Sequence, residues 1–80
     1  MSTEAPLFSR WERETRYYEL RLQQDLFGDW VLMRVWGQRG SALGQIRREL
    51  CADYGQGQRL YAQSTVQRGK RGYVQVHGWG

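Results

Sequence analysis

Apolar and polar residues alternate along most of the chain, and a period of two is the signature of strands with one face turned to a core. In "LFSRWERET" the alternation is loose, with Leu7, Ser9 and Trp11 on one side. It predicts a short edge strand that gives way to a polar turn from Glu12 to Thr15. "RYYELRLQ" is clearer: Tyr18, Leu20 and Leu22 share one face, Tyr17, Glu19 and Arg21 the other. "QDLFGD" then interrupts the pattern with a turn signal at Asp25 and a Gly28 able to take positive φ. "WVLMRVW" is the returning strand of a hairpin. Its faces, Val31-Met33-Val35 and Trp30-Leu32-Arg34-Trp36, are both largely apolar, which predicts a central strand covered on two sides. The Leu26-Phe27 pair at the hairpin tip either folds back, the commoner arrangement, or is offered to a partner.

Past the "GQRG" turn, "SALGQIRREL" predicts a loop to Gly44 and a third strand from Gln45 to Cys51, with Arg47 and Arg48 on opposite faces. The period then changes. Asp53 is a good N-cap, and "YGQGQRLYAQSTVQRG" places Tyr54, Gly57, Tyr61, Ser64 and Thr65 on one side of a helix, with Leu60 flanking and Gly69 as its C-cap. Gly55 and Gly57 each cost such a helix about 1 kcal/mol against Ala. "RGYVQVHG" alternates again as a final strand, and Trp79 is expected to be loosely packed or exposed, with a partner surface as the alternative. The element order predicts an α+β fold, an antiparallel sheet of four to five strands with one helix packed across it. Residues 1–6 are expected to form a frayed N-terminus, and residues 7–78 a single domain.

Eighty residues bury only about 60% of the surface of the unfolded chain, so the core must be thin. Four Trp, five Tyr and two Phe offset this with large apolar areas. There is no apolar run long enough to span a membrane and no signal-peptide pattern at the N-terminus. The single Cys51 cannot form an internal disulfide. Together these features predict a cytoplasmic protein.

The net charge is +4 and the pI about 9.7. Eleven of the twelve basic residues are Arg, the side chain suited to bidentate phosphate contacts and to ring stacking, so a polyanionic partner fits. One His and one Cys in the whole chain predict no metal site. His77 lacks a second ligand or nucleophile, Cys51 reads as a small core residue, and the carboxylates show no acid–base pairing. The chain is expected not to be an enzyme and to need no cofactor or small-molecule substrate.

Trp36 stands just before a turn with Gly37 and Gly40 at its ends. On composition alone it is either half-buried sheet packing or one wall of a binding site. The "RGKR" run at 68–71 is either a solvated helix end that complements the helix dipole or a set of cations tracking a backbone.

From about Arg16 to Tyr73 the chain resembles a WGR domain. The resemblance rests on Tyr17-Tyr18, the "DLFGDW" loop, Trp36-Gly37, Gly40, Gly44-Gln45, Asp53 at the helix cap and Gly72-Tyr73. WGR domains occur in poly(ADP-ribose) polymerases and in small stand-alone or fused bacterial proteins. In the polymerases they recognise broken DNA ends, with the motif Trp on a terminal sugar and the motif Arg beside the phosphate. The resemblance implies that Trp36 is a ribose platform, Gly37 a close-approach backbone amide and Arg16 a phosphate partner. Here the motif reads Trp-Gly-Gln, with Gln38 in place of the arginine and Arg39 beside it. A neutral donor contributes a net ~0.5–1.5 kcal/mol against roughly 1.5–3 for a charged one. The expectation is nucleic-acid binding, DNA before RNA, through Trp36, Gly37, Gln38, Arg39, Arg16, Lys70 and Arg71. The alternative is a protein-interaction module in which the same surface docks on an acidic or nucleic-acid-handling partner and occludes its nucleic-acid site.

Overall fold

The computed structural model describes residues 4–79. Its elements are β1 (Leu7–Arg13), β2 (Arg16–Gln24), β3 (Trp30–Gln38), β4 (Gly44–Leu50), α1 (Tyr54–Lys70) and β5 (Val74–Trp79). The strands form one antiparallel sheet in the order β4-β3-β2-β1-β5. This is the α+β fold that the change of hydrophobic period predicts.

The boundaries differ in ways that matter for the site. β1 continues through Glu12 and Arg13, so only Glu14 and Thr15 remain in the turn, with Glu14 at φ 54°. β1 is not an edge strand, because β5 returns from the helix and pairs along its outer side. β3 runs two residues past Trp36, so Gly37 and Gln38 belong to the strand and the turn begins at Arg39. Arg47 and Arg48 do point to opposite faces, paired with Arg34 and Met33.

α1 starts as the sequence predicts, with Asp53 Oδ1 accepting the Gln56 amide at 2.8 Å. It ends later than Gly69. Arg71 is the C-cap, Gly72 takes φ 83°, and the amides of Gly72 and Tyr73 donate to the carbonyls of Gly69 and Arg68. That bond pair closes a Schellman motif, and it fixes the direction in which Tyr73 leaves the helix.

α1 covers one face of the sheet. A Cβ on Gly57 would lie 2.6 Å from Leu22 Cδ1, so the missing side chain lets helix and sheet approach closely here. Leu22, Trp30, Leu32, Cys51 and Tyr54 form the core, with Leu7, Leu60 and Tyr61 packed against it. Beside it, buried Ser9 Oγ accepts from Trp11 Nε1 at 2.9 Å and from Tyr61 Oη at 2.8 Å. Burial raises the Tyr61 pKa despite that bond.

The other face carries no second layer. Ile46, Leu50 and Val74 on it are exposed, and α1 covers only the opposite face; β3 is therefore layered on one side, not the expected two, although its Val31 is buried on the other. Two apolar faces on one strand here reflect one core face and one open face. Leu26 and Phe27 do not fold back either; they are 100% and 90% exposed. Asp25 Oδ1 accepts the amides of Phe27 and Asp29, at 2.9 and 3.0 Å, and holds the tip facing outward.

Of the expected frayed terminus, residues 1–3 lie outside the described residues. Residues 4–6 form no helix or strand, but the Ala5 carbonyl accepts Tyr54 Oη at 2.8 Å. No helix among the described residues is long and apolar enough to cross a membrane.

Candidate functional site

Register sorts the helix-bearing face into rows across the strands. Arg13, Arg16 and Gln38 form the row nearest the β1–β2 turn; Trp11, Tyr18, Trp36 and Gln45 form the next; Ser9, Leu20, Arg34 and Arg47 the third; and Leu7, Leu22, Leu32 and Glu49 the fourth. Directly opposite residues in a sheet have Cβ atoms about 4.5–5.5 Å apart, so each row is a set of neighbours. Along β1 and β2 the face thus grades from cationic through aromatic to apolar, while on β3 and β4 Arg34 and Arg47 form a second cationic pair beyond Trp36. The core sits under the apolar end, and Trp36 lies outside it.

Trp36 is half-buried, whereas Trp30 is 8% exposed in the core. The Trp36 ring stacks with Tyr18, centroids 5.9 Å apart and planes 14° apart. Tyr18 meets Tyr73 edge-on at 6.3 Å. Arg68, from the last turn of α1, lies 4.1 Å from the Tyr18 centroid and 5.2 Å from that of Tyr73. Its Nε is buried with no hydrogen-bond partner among the described residues. Ring faces, rather than a carboxylate, hold this cation. The stack fixes the indole without enclosing it.

Two cavities flank Trp36. One, of about 250 Å³, is lined by Arg16, Tyr17, Trp36, Gly37, Gln38 and Tyr73. The other, of about 340 Å³, is lined by Tyr18, Arg34, Trp36, Arg47 and Glu49. Arg16 is exposed and makes no ion pair or side-chain hydrogen bond with the described residues. Arg34 donates to Glu49 at 2.9 Å.

Gly37 lines the first cavity and also meets a packing need. A Cβ there would lie 3.3 Å from Tyr17 Cε1 and 3.2 Å from the Leu43 carbonyl, and one on Gly44 would lie 2.7 Å from Tyr17 Oη. The Tyr17 ring rests on this bare backbone, with the Arg10 guanidinium 4.5 Å from its centroid. Glycine after the tryptophan is therefore explained by Tyr17 before any ligand is considered.

The seven residues singled out by sequence do not all converge. Arg16, Trp36, Gly37 and Gln38 line one cavity. Arg39 turns away from it: its Nε lies 3.5 Å from Glu12 Oε1, and its Nη1 donates to the Glu14 carbonyl at 3.1 Å. The charge missing at position 38 is not supplied by its neighbour in sequence. Lys70 lines a third cavity, of about 420 Å³, together with Arg34 and α1 residues from Leu60 to Gln67. Arg71 caps α1, and its carbonyl accepts Arg13 Nη1 at 2.9 Å.

Sequence reasoning missed Arg13, Arg34, Arg47 and Tyr73 as neighbours of the site. Arg13 shares the parity of Leu7, Ser9 and Trp11, but the expected turn at Glu12 hid it. Arg34 shares parity with Trp36; only register reveals that Arg47 lies opposite.

The open face is organised by charge. Glu19 accepts from Arg10 at 2.8 Å and Arg21 at 2.9 Å, and Arg10 also reaches Glu12 at 3.1 Å. Burial works to raise the Glu19 pKa, but hydrogen bonds and charge from Arg21 and Arg10 overcome it and hold the carboxyl below its ordinary range. For Arg10, burial lowers the pKa, and Glu19 and Glu12 more than reverse that. Burial raises the Cys51 thiol pKa and keeps it in the unreactive thiol form. The described residues contain no group of three or more His, Cys, Asp or Glu arranged for a metal ion.

An aromatic platform beside an unpaired guanidinium and a neutral amide can hold a sugar and a phosphate; it offers no nucleophile–base pair. No curated protein and no solved structure matches the chain. A family model described as the WGR domain matches residues 7–78. The WGR domain is a nucleic-acid-binding type of module in poly(ADP-ribose) polymerase-like proteins, and a binding domain rather than a catalytic one. With that match over nearly all of its 80 residues, the chain belongs to the WGR domain family.

Proposed function

We propose that the chain binds the sugar–phosphate backbone of DNA at ends or nicks, with Trp36 under a sugar and Arg16 as the phosphate partner. The observation that carries this is the half-buried indole in one cavity with an arginine that has no side-chain partner among the described residues. Gln38, across from Arg16, adds neutral donors. The helix-end cations Lys70 and Arg71 add long-range attraction. These contacts neutralise phosphate and stack on sugar without reading base edges, so recognition is of backbone and not of sequence. Affinity then falls with salt at a log–log slope of about −0.9 per phosphate neutralised on duplex. The test is fluorescence anisotropy with blunt, nicked and covalently closed duplexes over a salt series. Loss of binding in both Trp36→Ala and Arg16→Ala supports the reading; salt-independent binding, or binding that survives both substitutions together, removes it.

One observation favours a second reading, in which the chain docks on a partner protein. The Leu26-Phe27 tip is held outward by Asp25 and exposed, and aromatic anchors act as hot spots at protein interfaces. A stoichiometric protein captured from nuclease-treated lysate by the native chain, and lost with Leu26→Ser/Phe27→Ser, would establish it.

A further inference from the structure

The cavity on the far side of Trp36 has no role in gripping a duplex terminus through Arg16. It is not isolated. Trp36 lines both cavities beside it, and Arg34 lines both the second cavity and the third, along α1. Linked in turn by these shared residues, the three cavities make up a track from Arg16 to Lys70. Its basic residues are Arg16, Arg47, Arg34 and Lys70, against the single carboxylate of Glu49.

The placement of Arg47 is the informative part. It sits directly across the β3–β4 pair from Arg34. Like charges in directly opposite positions destabilise a sheet. Glu49 relieves only Arg34, while Arg47 is exposed and has no partner among the described residues. Fold stability does not explain a guanidinium here, whereas an anion lying between Arg34 and Arg47 would give Arg47 the partner it lacks and offset its repulsion with Arg34. Further along, Gln63, Ser64 and Gln67 offer neutral hydrogen bonds and Leu60 and Val66 offer apolar surface. Cavities of a few hundred Å³ suit a ligand of nucleotide size and are too small for a duplex.

We infer that this track holds a single-stranded extension of the nucleic acid whose double-stranded end rests on Trp36. The inference rests on the reading of Trp36 as an end-binding platform. The first unpaired phosphate lies between Arg34 and Arg47, and the strand runs on along α1 toward Lys70. A positively charged groove with an aromatic platform at its mouth is the usual design for single strands held without sequence preference.

The test is anisotropy over a salt series with three labelled probes: a blunt duplex, and the same duplex with a 5′ or a 3′ single-stranded extension. One extension should bind more tightly than the blunt duplex, with a slope steeper by about 0.7 for each added single-strand phosphate contact. Arg47→Ala should remove that increment, costing the extended duplex more affinity than the blunt one. Glu49→Gln, which removes the carboxylate from the track, should raise affinity for the extended duplex above that of the native chain, a gain that misfolding cannot mimic. Equal affinity and slope for all three probes overturns the inference while leaving end binding intact. So does an Arg47→Ala loss of the same size on blunt and extended duplexes. No binding to any probe removes both the inference and the reading beneath it.

Discussion

Arg16 stands directly opposite Gln38 across the β2–β3 pair, on the face that carries Trp36. In the cavity that Trp36 shares with Gly37 and Gln38, the cation thus comes from the adjacent strand and not from the position after Trp-Gly. Arg39, next in sequence, is held by Glu12 and the Glu14 carbonyl and does not line the cavity. The local geometry therefore retains one guanidinium and one neutral amide side by side.

Restoring an arginine should strengthen binding and weaken the fold. Gln38→Arg places two guanidinium groups in directly opposite positions, which costs up to about 1 kcal/mol. It also adds a phosphate donor, which steepens the salt slope on duplex by about 0.9. Urea melts and salt titrations of the same variant check both signs.

Two glycines of α1 should respond in opposite directions to alanine. At Gly57 the added Cβ meets the fully buried Leu22 at 2.6 Å. Overpacking of about 1–3 kcal/mol outweighs the roughly 1 kcal/mol gained in helix propensity, so Gly57→Ala should lower the denaturation midpoint. Gly69 meets nothing within 4 Å, so Gly69→Ala should raise stability by about 0.5–1 kcal/mol.

How much of this was legible depends on range. Alternation fixes β2 and β3, and Asp53 fixes the start of α1, because each is set by a few neighbouring residues. Asp25 turning Leu26 and Phe27 outward is local too, but apolar residues at a tip look the same in sequence whether they fold in or out. β5 pairing with β1, Gly57 meeting Leu22, and Arg34 opposite Arg47 are contacts between distant segments with no local mark. The direction of Arg39 depends on the turn, which the sequence leaves open. The β3 strand continues to Gln38, and the turn that follows directs the next side chain to the β1–β2 loop.

Acid should weaken the open face through Glu19. Its folded pKa lies below the ordinary carboxylate value of 4.5, so its stabilising contribution is complete above that value. It is lost as pH falls through the lower folded value. Glu19→Gln should melt earlier than the native chain at pH 7 and lose less stability between pH 5 and pH 2, as read by circular dichroism on thermal scans.

The hairpin tip should be dispensable to both fold and end binding. Leu26 and Phe27 are solvated, so Leu26→Ser/Phe27→Ser should change stability by no more than about 0.5 kcal/mol. Duplex affinity should stay the same. A loss of duplex affinity would mean that the nucleic acid reaches this end of the molecule.

The most direct test watches the indole itself. The four Trp residues give four indole N–H resonances in a ¹⁵N–¹H spectrum, each assigned by a Trp→Phe substitution. Titration with a nicked duplex at low salt should shift or broaden the Trp36 signal first and leave that of core Trp30 in place. A saturating titration in which the Trp36 resonance does not move would contradict the account.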